Sequence, residues 1–157
     1  MIMGLSASKT INVIVIGLTD SGKTHFLDLF HLGDNTTKLP TNGFYEMVYY
    51  FENYTFVLRE YGGATDWERC ITLDPVHCIF AMVRDNVMEA NNAILMLANR
   101  YRKIPVAILW NGVSPTPGFM YPKNRPVCTV TLRFQNQVEW LEKVYRLFQW
   151  AVTYAAV

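Results

Sequence analysis

The sequence predicts one α/β domain built on a doubly wound, largely parallel sheet, and three observations predict it. Short apolar, β-branched runs alternate with segments whose apolar residues recur at helical spacing. The first such run, Thr10 to Ile16, leads directly into Gly17-Leu18-Thr19-Asp20-Ser21-Gly22-Lys23-Thr24, which fits G-x-x-x-x-G-K-S/T at a strand-to-helix junction. The chain has 157 residues, 51% of them hydrophobic, which is enough for one domain with a real core and too little for two.

The elements follow in order. Thr10 to Ile16 is apolar on both faces, as a central strand of a parallel sheet must be, and Gly17 ends it. His25 to Leu32 places Phe26, Leu27, Leu29 and Phe30 on a helix face that Gly33-Asp34-Asn35 terminates. Phe44 to Phe51 and Tyr54 to Glu60 are aromatic and β-branched runs separated by Glu52-Asn53, the pattern of an antiparallel hairpin that Tyr61-Gly62-Gly63 breaks. Val76 to Val83 and Pro105 to Trp110 are further buried strands, with a helix over Val87 to Tyr101 between them. Gly112 to Pro126 contains Pro115, Pro117, Pro122 and Pro126 and is expected to be a loop, because proline removes a helix donor and clashes with the preceding turn. Val127 to Leu132 completes six strands, and Gln135 to about Tyr154 is the last helix, with Val138, Leu141, Val144, Tyr145, Phe148 and Val152 expected on its buried face.

The glycine-lysine run carries the chemistry. Backbone N–H groups freed by the glycines and by the start of the following helix point at phosphate oxygens. Lys23 adds positive charge near the terminal phosphates, and the Thr24 hydroxyl is a Mg²⁺ ligand by type. A phosphate ligand is therefore expected. Net charge is +1 with acids and bases interspersed, so no electrostatic footprint points to nucleic acid. Cys70, Cys78 and Cys128 lack both disulfide-framework and zinc-ligand spacing and read as reduced thiols. No run approaches the roughly 18 apolar residues of a membrane span, and no signal peptide opens the chain, so a cytoplasmic location is expected. His25, His31 and His77 have no acid or nucleophile at a catalytic spacing and read as structural.

Three landmarks, the Gly17 to Thr24 loop, Pro40-Thr41-Asn42-Gly43-Phe44 and Tyr61-Gly62-Gly63, fall at spacings that match without gaps from Gly17 to Ala64. In this the chain resembles the Arf-like (ADP-ribosylation-factor-like) branch of the small GTPases. The resemblance implies a small-GTPase-like phosphate-loop fold, a mixed six-stranded sheet with helices on both faces, over residues 11–157, with residues 1–10 as an N-terminal extension. It implies GTP or GDP with Mg²⁺ as ligands, held by Asp20, Ser21, Gly22, Lys23, Thr24, Thr41, Gly63, Asn111, Cys128 and Thr129, with Thr24, Thr41 and Glu60 toward the metal. Thr41 stands where the P-T-x-G-F threonine closes over metal and terminal phosphate, and the Gly63 N–H where the γ-phosphate is touched. Phe44 and the 44–60 hairpin stand where such proteins meet effector and regulatory proteins, and the several aromatics of that hairpin cannot all face a core.

The departures from the family pattern are as informative. W-D-x-G-G-Q reads Arg59-Glu60-Tyr61-Gly62-Gly63-Ala64 here, so the effector-contacting tryptophan is an arginine, the metal-side aspartate is a longer Glu60, and the water-orienting glutamine is Ala64. Hydrolysis, with no catalytic residue of the chain's own assigned, is expected to be slow or absent. N-K-x-D reads Asn111-Gly112-Val113-Ser114, which removes the base-packing lysine and the base-pairing aspartate and weakens guanine selectivity. Cys128-Thr129 stands near the position of the family's remaining base-reading loop. Asp20 places an anion inside the phosphate loop, which repels phosphate.

The leading expectation is thus a divergent GTP-binding, nucleotide-dependent protein-binding switch in membrane traffic. Its competitors are a pseudo-GTPase scaffold that binds no nucleotide and, less favoured because no arginine-rich lid follows, a small nucleotide kinase. Met3-Gly4-Leu5-Ser6-Ala7-Ser8 fits M-G-x-x-x-S/T, so initiation at Met3 would expose Gly4 to myristoylation and give weak, peripheral membrane binding.

Overall fold

A computed structural model describes residues 9–30, 38–41, 44–61, 71, 75–133 and 135–155. In chain order these form β1 (Lys9–Gly17), α1 (Lys23–Phe30), β2 (Lys38–Thr41), β3 (Phe44–Phe51), β4 (Tyr54–Tyr61) and β5 (Cys78–Val83). They continue with α2 (Val87–Arg100), β6 (Val106–Asn111), β7 (Val127–Leu132) and α3 (Gln137–Tyr154). The strands lie side by side in the order β2-β3-β4-β1-β5-β6-β7. All six expected strands are present, and the short β2 adds a seventh at the edge, antiparallel to β3 with Pro40 opposite Tyr45 and Thr41 opposite Phe44. Proline has no N–H for a ladder on both sides, so an edge is where it fits.

β4, β1, β5, β6 and β7 run parallel, and the β2-β3-β4 meander is antiparallel. The parallel strands are apolar on both faces because both faces are covered. Successive residues alternate between two cores. Ile11, Val13 and Val15 of β1, Phe80 and Met82 of β5 and Leu109 of β6 face one core with Phe26 and Leu27 of α1 and Trp140, Val144, Leu147 and Phe148 of α3. Ile14 and Ile16, Ile79 and Val83, and Ile108 and Trp110 face the other, covered by Ala90, Ile94 and Leu97 of α2.

α3 is rotated relative to the sequence expectation. Trp140, Val144, Leu147, Phe148 and Ala151 are buried, whereas Val138, Leu141 and Tyr145 are 72%, 53% and 48% exposed. The helix carries two apolar stripes, and the one that packs offers two large side chains, Trp140 and Phe148, and a small Ala151 that lets the helix approach the sheet. Phe148 is the hub: its ring lies 5.0 Å from Tyr49, 5.8 Å from Phe51, 4.6 Å from Phe56 and 5.8 Å from Phe80. Tyr49 and Phe51 of the hairpin are thereby spent on the core, and Tyr45 and Tyr50 are its exposed aromatics, at 41% and 58%. The hairpin turns through Glu52, which adopts a left-handed φ of 53°.

The proline-rich segment between β6 and β7 is a loop, as expected, and it is tied down. Buried Asn91 of α2 donates from Nδ2 to the Met120 carbonyl at 2.7 Å and accepts the Met120 N–H at 2.9 Å. Phe119 stacks edge-on against Trp110 at 5.0 Å, and Arg125 donates to the Tyr101 carbonyl at 2.8 Å. These contacts fix the loop against α2 and the Trp110 side of the sheet. His77 is structural as read: its Nδ1 accepts the Asn12 N–H at 2.9 Å, joining the start of β5 to β1.

Candidate phosphate and base cleft

Because five strands are parallel, their carboxyl ends share one edge of the sheet, and the loops leaving that edge make a cleft. β1 delivers the Gly17–Thr24 loop, β4 delivers Glu60, β5 delivers Arg84 and Asp85, β6 delivers Asn111 to Val113, and β7 delivers Arg133 and Gln135.

The loop is compact for reasons its sequence supplies. A Cβ on Gly17 would collide with Ser21 Oγ and come within 2.9 Å of the Met82 carbonyl oxygen, so only glycine lets β1 turn there. Gly22 has φ +98°, and a Cβ there would strike Asn111 Nδ2. Asp20 takes a left-handed φ of 64° at the exposed tip. The Ser21 N–H donates to the Leu18 carbonyl at 3.1 Å, and Phe26 N–H to Gly22 O at 2.9 Å begins the helix. Asn111 Nδ2 donates to the Ser21 carbonyl at 2.9 Å, so the end of β6 props the loop from behind.

Lys23 is 6% exposed, and its Nζ donates to the carbonyls of Gly17 at 2.8 Å and Leu18 at 3.0 Å. Burial lowers the Lys23 pKa, while the Glu60 and Asp20 carboxylates pull it back up. The Thr24 hydroxyl donates to Glu60 Oε1. Glu60 is 6% exposed, and its other oxygen, Oε2, is buried without a hydrogen-bond partner among the described residues; the same is true of Ser21 Oγ.

The cleft has two compartments. One of about 540 Å³ is lined by Asp20, Gly22, Lys23, Thr24 and Glu60. The other, of about 730 Å³, is lined by Asn111, Gly112, Val113, Arg133 and Gln135. Gly22, His25, Arg84 and Asp85 border both, so the two are continuous over the start of α1. The first offers phosphate Lys23, Arg84 and the loop N–H groups, set against the carboxylates of Asp20, Glu60 and Asp85; the second is adjacent space.

The structure therefore brings Asp20, Ser21, Gly22, Lys23, Thr24, Glu60 and Asn111 together. Thr41 ends β2 opposite Phe44 on the far edge strand, and its side chain lies outside what is described, as do Gly63, Ala64, Cys70 and Gly4. Cys128 and Thr129 are not brought to the cleft. They are the second and third residues of β7, paired with Ala107 and Ile108, whereas the row level with Asn111 holds Leu132. Four rows separate Cys128 from that edge, roughly 13 Å of strand. Cys128 instead packs against the core, where burial pushes its thiol pKa up to about 12. Ser114 is exposed and does not line either compartment.

The sequence reading missed His25, Arg84, Asp85, Arg133 and Gln135 as lining residues. A signal for three of them was present: Arg84, Asp85 and Arg133 are the first polar residues after buried parallel strands, which is where such folds place ligand contacts. Phe44 does not project freely. It is half-buried, 5.4 Å from the Tyr61 ring, with the Arg59 guanidinium carbon 4.5 Å from its centroid and Arg59 in turn 3.6 Å from Glu46.

Comparison with known proteins agrees with this geometry. The profile of the ADP-ribosylation factor family matches residues 1–111. Among solved structures, the ADP-ribosylation factor-like GTP-binding protein and small COPII coat GTPase SAR1 of Encephalitozoon cuniculi, in complex with GDP, is 15% identical with a TM-score of 0.70, covering 93% of this chain and 80% of that one. The Arl6 BBS3 small GTPase of Trypanosoma brucei, with bound GppNp, is 15% identical with a TM-score of 0.69 over 94% of this chain and 100% of that one. The G domain of the T. maritima FeoB iron transporter follows at 14% identity and 0.63, over 92% and 98%.

Proposed function

The chain belongs to the ADP-ribosylation factor family, and from that premise we propose that it is a nucleotide-dependent protein-binding switch that holds GDP or GTP with Mg²⁺ in the cleft above β1. The observation that carries the reading is the arrangement of Lys23, Thr24 and Glu60 around the first compartment. Lys23 now satisfies itself on two loop carbonyls; phosphate oxygens offer it charge-assisted bonds in exchange. The loop N–H groups and the start of α1 add donors and a favourable dipole.

The residues fit Mg²⁺. Thr24 Oγ1 and the Glu60 carboxylate it touches, whose buried Oε2 has no partner among the described residues, are hard oxygen donors side by side, and Mg²⁺ takes one or two carboxylates with phosphate oxygens rather than a full protein cage. Bound there, the ion would neutralise phosphate charge. Thr24 and Glu60 are the residues that would hold it, with Thr41 joining from β2 in the triphosphate state.

The switch is a population shift: contacts of the terminal phosphate with Thr41 and Gly63 favour one arrangement of the segments flanking the hairpin. That arrangement presents the exposed side of the 44–60 hairpin, Tyr45 and Tyr50 with half-buried Phe44 at its end, to an effector or regulator. Ala64 cannot orient a water, so turnover is slow and the triphosphate state long-lived. A place in membrane traffic is supported by the coat GTPase among the structural neighbours, and a myristoyl group on Gly4 would give the reversible attachment such a role uses.

A second reading, a pseudo-GTPase scaffold that binds no nucleotide, is favoured by one specific observation. Lys23 and Thr24 already have protein partners, so the loop's ammonium and threonine hydroxyl are satisfied without a ligand. Thermal unfolding of the full chain with Mg²⁺ and GDP or GTP separates the two. Ligand at a hundredfold excess over Kd adds about 2.7 kcal/mol to a binding protein and nothing to a scaffold. The switch reading expects that gain in the wild-type chain and its loss in Lys23→Ala; equal melting with and without nucleotide selects the scaffold.

A further inference from the structure

We propose that the free edge of β7 is a docking site for an extended acidic segment of another protein, which adds a strand beside Thr129 under a basic and aromatic stripe of α3. The site lies along the side of the sheet and does not depend on the nucleotide-binding reading.

β7 is the last strand of the sheet, so among the described residues only β6 pairs with it. The Leu132 carbonyl accepts from Gly112 N–H at 2.8 Å and the Pro126 carbonyl from Val106 N–H at 3.0 Å. Successive residues of a strand turn their N–H and C=O groups to opposite sides, so the even-numbered residues of β7 face β6, and Val127, Thr129 and Thr131 face outward. Lys143 agrees with that direction: its Nζ donates to the Thr131 carbonyl at 2.6 Å. That carbonyl is satisfied from α3. The N–H groups of Val127, Thr129 and Thr131 and the carbonyls of Val127 and Thr129 have no partner among the described residues, and Thr129 at the centre is exposed. An open edge in a run as β-prone as Val-Cys-Thr-Val-Thr-Leu is a template for another strand, with backbone hydrogen bonds supplying affinity for an extended chain.

What overhangs the edge selects the occupant. Lys143 marks the side of α3 that stands there, and helical spacing puts Glu139, Arg146, Trp150 and Tyr154 on the same stripe. The Trp150 and Tyr154 rings lie 5.8 Å apart, with Trp150 half-buried and Tyr154 exposed. Glu139 is 3.0 Å from Lys143 and offsets it. Arg146 has no carboxylate partner among the described residues, nor do Arg125 and Arg133, which flank β7 at its two ends. The rim is therefore net basic. A second copy of this chain fits it badly: antiparallel pairing about Thr129 sets Arg133 of one copy level with Arg125 of the other, and like charges opposite one another destabilise a strand pair. An acidic segment gains where a copy loses. Every second side chain of an added strand lies on the α3 side. A carboxylate level with Thr131 meets Lys143, and an apolar side chain farther along meets the Trp150–Tyr154 pair.

The test uses the full chain and a fluorescein-labelled nonapeptide, Glu-Thr-Val-Thr-Glu-Thr-Val-Thr-Glu, whose side-chain order is the same in both strand directions. Its counterpart carries lysine for every glutamate. Anisotropy reads binding, and amide hydrogen exchange by NMR reads the edge. In the free chain the Val127, Thr129 and Thr131 amides are expected to exchange faster than those of Cys128, Val130 and Leu132, and saturating glutamate peptide is expected to slow the outward three on the order of tenfold. The lysine peptide is expected to bind at least about tenfold more weakly. Thr129→Pro removes an outward donor and no bond to β6, and Lys143→Glu reverses a charge over the edge; each is expected to weaken the glutamate peptide on the order of tenfold. Circular dichroism checks that both variants fold, and where Thr129→Pro does not, Lys143→Glu alone decides. Outward amides left unprotected by the glutamate peptide, equal binding of the two peptides, or unchanged binding in Lys143→Glu each overturns the proposal. Protection of Thr129 that grows with the concentration of the chain alone, with a dimer in sedimentation, gives the edge to a second copy and overturns it equally.

Discussion

Gly22→Ala isolates the contact by which β6 supports the phosphate loop. Two costs are visible. Gly22 has φ +98°, where a Cβ is strained by about 1–2 kcal/mol. The new Cβ also strikes Asn111 Nδ2, so the amide must leave the Ser21 carbonyl it now reaches at 2.9 Å, forfeiting about 1 kcal/mol. Gly22→Ala should therefore cost about 2–3 kcal/mol and Asn111→Ala about 1 kcal/mol. The double variant has no amide left to displace and should cost no more than Gly22→Ala alone, a coupling of at least about 1 kcal/mol. Urea denaturation of the four chains measures the cycle. Costs that add to within about 0.5 kcal/mol would refute the argument, since Asn111 would then be free to move aside without loss.

Other outcomes follow from single contacts. Phe148→Ala empties the ring cluster that binds the hairpin to α3 and should cost about 3–5 kcal/mol in urea denaturation; a cost under about 1 kcal/mol would mean the cluster is not the hub. Asn91→Ala removes both bonds to Met120 and should cost about 2 kcal/mol and open the 112–126 loop to limited proteolysis; an unchanged cleavage pattern would contradict it. Burial lowers the His77 pKa from its ordinary 6.5, so the unfolded chain binds that proton more readily than the folded one. The His77 contribution is complete above the unfolded value and is lost as pH falls through it toward the folded one. The melting temperature of wild type should thus drop more than that of His77→Asn from about pH 7.5 to about 5.5, and parallel curves would contradict this.

The sheet was legible because its strands are short and apolar on both faces, and nothing else in the chain competes for that pattern. β2 was not, since Lys38-Leu39-Pro40-Thr41 carries a proline and reads as loop until an edge strand is there to receive it. The face of α3 was read in part: Val144 and Phe148 pack as expected, whereas Val138, Leu141 and Tyr145, which keep helical spacing equally well, stay exposed, and Trp140, Leu147 and Ala151 complete the buried stripe. The compartment at the Gly17–Thr24 loop was legible from a contiguous motif, and Glu60 beside it from the family resemblance. The adjacent compartment was not. Matching Cys128-Thr129 to a family loop placed the contact at the beginning of β7, whereas parallel strands present ligands at their ends, which is where Arg133 stands.

The central claim is that the cleft over β1 holds a nucleotide, and the most direct measurement is what the gently purified full chain already carries. Denaturing it and chromatographing the released small molecules should yield GTP or GDP near one per chain from wild type and far less from Lys23→Ala, with GTP predominating if Ala64 has slowed hydrolysis as argued. A wild-type chain that releases nothing and takes up neither nucleotide when both are supplied with Mg²⁺ would contradict the account and leave the scaffold reading in its place.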